Sequence, residues 1–390
     1  MLYLLSIQMH NCIIVFYKCI LSLYTYPSYI RIRSARPIGA SRSEHNSTKF
    51  SDFFRSISTM PTFNYKETIF LPYSVSLLQN NLSVINTDDK QFEYALVHKF
   101  GVVTGNQESS ADVLKKPWST STAVPTGALV LSIVIFQIKI FPYNGKTVLI
   151  ALSTHGPYIA FGEELEPIPS FTIEEIRPNT EWSMYISVGI LGEDVICMGN
   201  CHGQIQILQI QAANKENIVP LNVLQTTSRS KILLLRTDPV GLVAVDSLGK
   251  LWSWTVEKEP ALKGVPVGLT ALTNCMELTE AFIVLGFSNG SLRLFFRESG
   301  CLYCEAYAHA SAITAMTFCP KSSVLLSVGE DSYVRVWQLH EELDNSKFQH
   351  VQNTVVEDMR LCGVQFLNVD GSHFGVVGYD RNELVIFSAT

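Results

Sequence analysis

From about residue 68 onward the chain alternates short apolar runs with polar turns. The runs include KILLLRT, GLVAVDS, KLWSWTV, AFIVLGF, SLRLFF, AITAMTF, VLLSVG, YVRVWQL, GVQFLNV, FGVVGY and ELVIF. Each spans four to eight residues rich in Val, Ile, Leu and aromatics, and each is bounded by Gly, Pro, Asn, Asp or Ser, which marks strands. Hardly any stretch shows the 3.6-residue period of an amphipathic helix. The pattern predicts an all-β chain.

The turns recur at a fixed spacing. Two-residue links fall at His155-Gly156, His202-Gly203, Leu248-Gly249, Asn289-Gly290, Asp331-Ser332 and Asp380-Arg381, with separations of 47, 46, 41, 42 and 49. A period in the forties with four strands per unit is that of a propeller blade, because one four-stranded sheet cannot bury both faces and must stack in a ring. An earlier strand set (SVSLLQ, NLSVIN, FEYALVH) turns near Asp88-Asp89 and makes the count seven. The gap of 67 from there to His155 is too long, and residues 105–126, polar and rich in Ser and Thr, are expected to be an insertion between the first two blades. At the C-terminus the chain stops after the third strand of the last unit. The spare apolar segment TIFLPYS, residues 68–74, is expected to supply the fourth and close the ring.

One unit carries a more specific signature. In HASAITAMTFCPKSSVLLSVGEDSYVRVWQL, residues 309–339, His309, Ser327, Asp331 and Trp337 stand at separations that resemble the hydrogen-bonded tetrad of the WD-repeat family. The resemblance implies a Trp-to-Ser-to-His-to-Asp chain that locks the blade. In the other units an apolar anchor stands in the place of Trp337, at Phe161, Leu208, Trp254, Phe295 and Phe387, while the polar partners are missing. The loss is coherent, since deleting a whole buried polar network can be nearly neutral where deleting one member is costly. Ser327, His309 and Asp331 are also the residue types of a hydrolase triad, but Ser327 lies inside an apolar strand with no G-x-S-x-G elbow. The segments LCGVQF and GVVGYD extend the resemblance through the C-terminal third, and it covers about residues 60–390.

Residues 1–59 differ in character. The first 30 are apolar but interrupted by His10, Asn11 and Lys18, and the next 20 are Arg- and Ser-rich with one acid, Glu44. They are expected to form an extension outside the propeller, arising from a start upstream of Met60; a membrane anchor through residues 1–30 or a basic leader is the alternative. Residues 60–390 are expected to form a single domain.

Composition narrows the function classes. Net charge is -6 and charged residues make up 16%, which argues against a basic nucleic-acid surface. The nine cysteines are irregularly spaced, most of them in apolar runs, as expected of a reducing compartment. Cys301 and Cys304 form one C-x-x-C without a second ligand pair, so no metal and no cofactor is expected. His155 and His202 each precede a Gly at equivalent turns, and turn geometry accounts for both. No phosphate loop, dinucleotide fingerprint or H-E-x-x-H appears. Lys115, Lys116 and Trp118 in the insertion are candidate partner contacts, and the Glu-rich stretch 162–181 is a candidate acidic rim. The expected role, implied by the family resemblance, is a non-enzymatic, cytoplasmic scaffold that binds other proteins. A hydrolase or lyase with its site in the channel, or an adaptor tethered to a vesicle or membrane through residues 1–30, are the alternatives.

Overall fold

The computed structural model describes residues 62–88, 91–98, 101–107, 112–113, 134–154, 156–162, 166–167, 184–211, 217–255, 262–267, 271–341 and 347–390. These form 28 strands in seven four-stranded antiparallel sheets, with no helix among the described residues. Blade one is β2 (Ser83–Asp88), β3 (Gln91–His98), β4 (Gly101–Asn106) and β5 (Asp112–Val113). Blade two is β6 (Ile135–Tyr143), β7 (Lys146–Ser153), β8 (Gly156–Phe161) and β9 (Glu166–Pro167). Blade three is β10 (Tyr185–Leu191), β11 (Val195–Asn200), β12 (Gln204–Gln211) and β13 (Asn217–Gln225). Blade four is β14 (Ile232–Asp238), β15 (Gly241–Asp246), β16 (Lys250–Thr255) and β17 (Leu262–Pro266). Blade five is β18 (Thr273–Leu278), β19 (Phe282–Phe287), β20 (Ser291–Phe296) and β21 (Leu302–Tyr307). Blade six is β22 (Ile313–Cys319), β23 (Val324–Gly329), β24 (Tyr333–His340) and β25 (Lys347–Val355). Blade seven is β26 (Leu361–Phe366), β27 (His373–Gly378), β28 (Glu383–Ala389) and, from the far end of the chain, β1 (Phe63–Phe70).

The second strand of each blade explains the unbroken apolar runs. β15, β19 and β23 are buried at every position, because both faces pack against neighbouring blades. Outer strands meet water instead. β13 and β1 are largely exposed, and their mixed composition follows.

β1 pairs antiparallel with β28 from Phe63↔Ala389 to Phe70↔Glu383. The closing strand therefore starts and ends earlier than TIFLPYS: it stops at Phe70, the Leu71 N–H still donates to the Asn382 carbonyl at 2.7 Å, and residues 72–74 leave the ladder. Phe63 is what fixes it. Its ring lies 5.0 Å from that of Phe374 in the core, and its backbone exchanges two hydrogen bonds with the Gln352 side chain of blade six, at 2.8 and 2.7 Å.

Blade one also departs from the expected partition. SVSLLQ is the link leading into the blade and meets it at the bridge Val75↔His98, where the Ser76 N–H donates to the Val97 carbonyl at 2.9 Å. The turn near Asp88-Asp89 joins β2 to β3, so the equivalent of the other links falls between His98 and Gly101. Measured from Lys99 the gap to His155 is 155 minus 99, or 56. β4 and β5 reach into the stretch 105–126 expected to be insertion.

The first strands line the central channel, with one edge left unpaired by the blade's own ladder. Polar side chains tie successive first strands together. Ser83 Oγ accepts from the Ile140 N–H at 3.0 Å, and Gln137 Oε1 from the Val188 N–H at 2.8 Å. Ser187 Oγ donates to the Ile232 carbonyl at 3.2 Å, and Arg236 meets Glu277 at 3.5 Å. Asn274 Nδ2 donates to the Ile313 carbonyl at 3.0 Å, Thr314 Oγ1 to that of Leu361 at 2.7 Å, and the Asn81 N–H to that of Cys362 at 3.0 Å. Every blade junction is thereby bridged near the axis, each bond contributing about 1 kcal/mol net.

Candidate functional site

Blade six gathers four polar side chains that lie far apart in sequence. His309 sits in the link from β21 to β22, Ser327 on β23, Asp331 at the turn to β24, and Trp337 on β24. Trp337 Nε1–H donates to Ser327 Oγ at 3.0 Å. Ser327 Oγ lies 2.8 Å from His309 Nε2, and His309 Nδ1 lies 2.9 Å from Asp331 Oδ1. An indole can only donate, so the serine proton turns toward the imidazole, and the imidazole's own proton sits on Nδ1 facing the carboxylate. Burial holds His309 below the usual histidine range against the pull of Asp331, which keeps this neutral arrangement. Burial pushes the Asp331 carboxyl up. The hydrogen bonds from His309 and the Ala310 N–H, with the nearby charge of Arg335, outweigh it and hold Asp331 below the usual range.

The arrangement stores rigidity. Ser327 is 0% exposed, and its hydroxyl takes one hydrogen bond and gives another, so no acyl group can reach it.

Four of the five apolar anchors occupy one equivalent place. Leu208, Trp254, Phe295 and Phe387 are buried, lie directly across from Ile196, Leu242, Ile283 and Phe374 as Trp337 lies across from Leu325, and like it pack toward the preceding blade. Phe161, across from Val148, is the exception: it is buried on the opposite face of blade two against blade three, and the place equivalent to Trp337 falls one residue earlier, at the small Ala160 across from Leu149. Two residues beyond those partners, where blade six has Ser327, stand Ala151, Met198, Ala244, Leu285 and Val376, all fully buried. Those blades leave no orphaned hydroxyl at that position. Blade one has Gly105 there, across from Tyr94, whose hydroxyl lies 2.5 Å from where a Cβ on Gly105 would be. The ring on the neighbouring strand replaces the missing anchor.

Two sites escape the tetrad spacing. In blade four the fully buried Asp246, at the end of β15, accepts from the Trp252 indole at 3.0 Å, the Ser228 hydroxyl at 2.7 Å, and the N–H groups of Leu248 and Lys250 at 2.9 and 3.0 Å. Asn200 caps the equivalent turn of blade three, accepting from the His202 and Gln204 N–H groups at 2.9 Å each. Along the channel, Lys139 of blade two, Arg236 of blade four and Glu277 of blade five influence one another's charge. Each stands alone in an apolar run (FQIKIF, LLLRT, CMEL), and that isolation is the signal sequence offered.

Lys115, Lys116 and Trp118 lie outside the described residues, as do residues 1–59 and most of the stretch 162–181. Cys301 is exposed and Cys304 buried, both free. Among the described residues no group of three or more His, Cys, Asp or Glu is placed to hold a metal, and no helix is long and apolar enough to cross a membrane.

The two ends of the propeller differ. First strands begin, second strands end, third strands begin and fourth strands end at the same face, so the interblade links and the second-to-third-strand turns share it. Exposed on that face are Phe70 (71%), Tyr73, Leu77, Leu248, Leu272 (68%) and Tyr379. On the opposite face, among the described residues, Val240 and Val369 in the turns and Phe296 and Leu302 at the strand ends beside one turn are the large apolar side chains exposed.

Comparison with known proteins agrees with this architecture. A solved chain from a crystal structure of the mitotic checkpoint complex superposes with a TM-score of 0.62 at 14% identity, covering 91% of this chain and 98% of that one, which shows the shared fold. WD repeat-containing protein 54 of Mus musculus is 28% identical over 342 residues, 83% of this chain and 99% of that protein. The Homo sapiens protein of the same name is 27% identical over 348 residues, 84% of this chain and 99% of its own length. With the family profile WDR54 matching residues 62–390, from the start of the closing strand to the last residue, this chain belongs to the WDR54 family of WD-repeat propellers.

Proposed function

We propose that the chain is a non-enzymatic scaffold that docks other proteins on the face carrying its interblade links. WD-repeat propellers generally bind proteins, and fold alone does not choose a surface. The observation that favours this face is the unequal distribution of exposed apolar side chains: Phe70, Tyr73, Leu77, Leu248, Leu272 and Tyr379 stand on it, on turns held by a stiff ring. The tetrad supports the same reading, because its serine, histidine and aspartate are engaged with one another.

A cytoplasmic setting fits the thiols. Burial pushes Cys197, Cys304 and Cys362 up to about 12, which makes them inert packing groups. A channel-site enzyme is the second reading, favoured by the meeting of Arg236 and Glu277, from the first strands of blades four and five, at 3.5 Å.

The test is quantitative affinity capture from cytosol with three variants of the full chain. Changing Tyr73, Leu248, Leu272 and Tyr379 to Ser is expected to abolish capture of proteins that the wild type retains. Changing Val240 and Val369 to Ser is expected to leave them. If the second variant loses the partners and the first keeps them, docking is on the other face. If changing Lys115, Lys116 and Trp118 to Ala alone removes them, the insertion carries the contact.

A further inference from the structure

On the face that carries the interblade links, a pocket of about 180 Å³ opens between the second-to-third-strand turn of blade four and the link entering blade five. That is room for one benzene-sized ring. Leu233, Ala271 and Leu272 are its apolar lining, and Leu272 is 68% exposed. Leu248, in the turn between the lining residues Ser247 and Gly249, is 49% exposed. The walls are held from behind. The Leu272 N–H donates to Ser288 Oγ at 3.2 Å and its carbonyl accepts from the Ser288 N–H at 2.8 Å, while the Ser247 N–H donates to the Lys231 carbonyl at 2.8 Å. Thr273, 8% exposed, and Ser247 both line the pocket, and neither hydroxyl makes a hydrogen bond among the described residues.

Cations gather beside this pocket. Arg229 and Lys231 stand exposed on the link entering blade four, and Lys250 follows Gly249. No hydrogen bond or ion pair engages any of the three side chains among the described residues. Their link is tied to the pocket wall, since Ser228, next to Arg229, donates to Asp246 at 2.7 Å. Asp246 also lines the pocket, and its two oxygens already take four donors. The buried carboxylate keeps anions out of the pocket itself, which is left to an apolar group, while the cations beside it attract negative charge. Glu357, Asp358 and Asp380, exposed carboxylates of the same face, lie instead on the link entering blade seven and on its turn.

We propose that the partner docked on this face is an acidic protein segment, which seats one large apolar side chain in the pocket and lays its flanking carboxylates over Arg229, Lys231 and Lys250. The inference rests on the choice of docking face made above and adds the chemistry of the partner. The seated side chain supplies most of the affinity, and the charges orient the segment and select it over neutral ones. The free hydroxyls of Ser247 and Thr273 supply hydrogen bonds to its backbone.

Fluorescence anisotropy of the full chain with labelled synthetic peptides tests this. The first probe is a phenylalanine flanked on each side by two glutamates; the others replace the glutamates by glutamine, the glutamates by lysine, or the phenylalanine by alanine. The wild type is expected to bind the first probe saturably and each of the others at least about tenfold more weakly. Arg229→Glu combined with Lys231→Glu is expected to weaken the first probe at least about tenfold and to bind the lysine probe more tightly than the wild type does. A variant that failed to fold could not gain a ligand. Lys321→Glu, an exposed change of the same sign on the opposite face, is expected to leave every affinity within about twofold. The inference is overturned by absence of saturable binding of the first probe, by equal binding of its glutamine or alanine counterpart, or by a double variant that keeps the first probe or gains nothing for the lysine one. If the glutamine probe binds as well as the first and Leu272→Ser weakens both, the docking face stands and the acidic chemistry alone fails.

Discussion

Blades six and four both bury a tryptophan indole N–H and both tie an interblade link to a tight turn. Blade six uses four residues in series, from Trp337 through Ser327 and His309 to Asp331. Blade four uses one hub: Asp246 takes the Trp252 indole directly, along with the Ser228 hydroxyl from the link and two backbone N–H groups of the turn. The acceptor stands at the end of the second strand instead of in the turn, and the tryptophan stands two residues earlier on the third strand than Trp337 does. What the two arrangements share is the connection of link to turn. Strand pairing already holds both ends in place, so several sets of side chains can make it.

The comparison breaks most sharply at the hub. Asp246→Ala removes the acceptor of four donors at once in a fully buried place, and is expected to cost about 3 kcal/mol of unfolding free energy. The urea midpoint, at unchanged slope, measures it. A loss below about 1 kcal/mol would mean that packing alone holds blade four.

The series arrangement predicts a smaller cost that depends on context. Ser327→Ala leaves the Trp337 indole N–H and His309 Nε2 unpaired, at about 2 kcal/mol. In a Trp337→Phe background the indole donor is already gone, so the same change should cost about 1 kcal/mol less. Strict additivity in this double-mutant cycle would show that the four residues do not act as a chain.

Sequence showed the ring and blade six because both leave periodic marks. Second strands are buried on both faces and read as continuous apolar runs, and the tetrad has fixed separations along one unit. Outer strands such as β25 and β13 were nearly invisible, since one face meets water and sheet pairing rather than composition makes them strands. Asp246 was missed for a related reason: it ends the run GLVAVDS and looks like an ordinary turn residue until Ser228, 18 positions earlier, is seen to reach it. Blade one misled because its anchor position is Gly105, filled from across the ladder by Tyr94, so no aromatic marks the third strand. Ser83, Gln137, Ser187 and Asn274, which bridge first strands near the axis, lie in mixed runs where nothing local distinguishes them from solvent-facing polar residues.

The smallest expected effect separates the two blades by acidity. His309 is held below the ordinary histidine value of 6.5 by burial, while Asp331 and Arg335 beside it pull in opposite directions and His350 lies near. Once unfolded, the same imidazole takes up a proton as pH falls below about 6.5, so the unfolded state binds more protons than the folded one and stability drops with pH in that window. Above 6.5 both states carry a neutral ring and the contribution is constant. His98, His350 and His373 are lowered in the same direction, so the whole chain is expected to lose stability between pH 7 and pH 5. His309→Gln can still donate to Asp331 and accept from Ser327 but does not titrate, and it should reduce that loss by about 1 kcal/mol or less. Urea midpoints of wild type and variant at the two pH values give the difference, and equal losses would mean that the blade-six histidine does not couple folding to pH. The blade-four hub contains no histidine, so its contribution, isolated by repeating the comparison in Asp246→Ala, should leave the His309 difference unchanged.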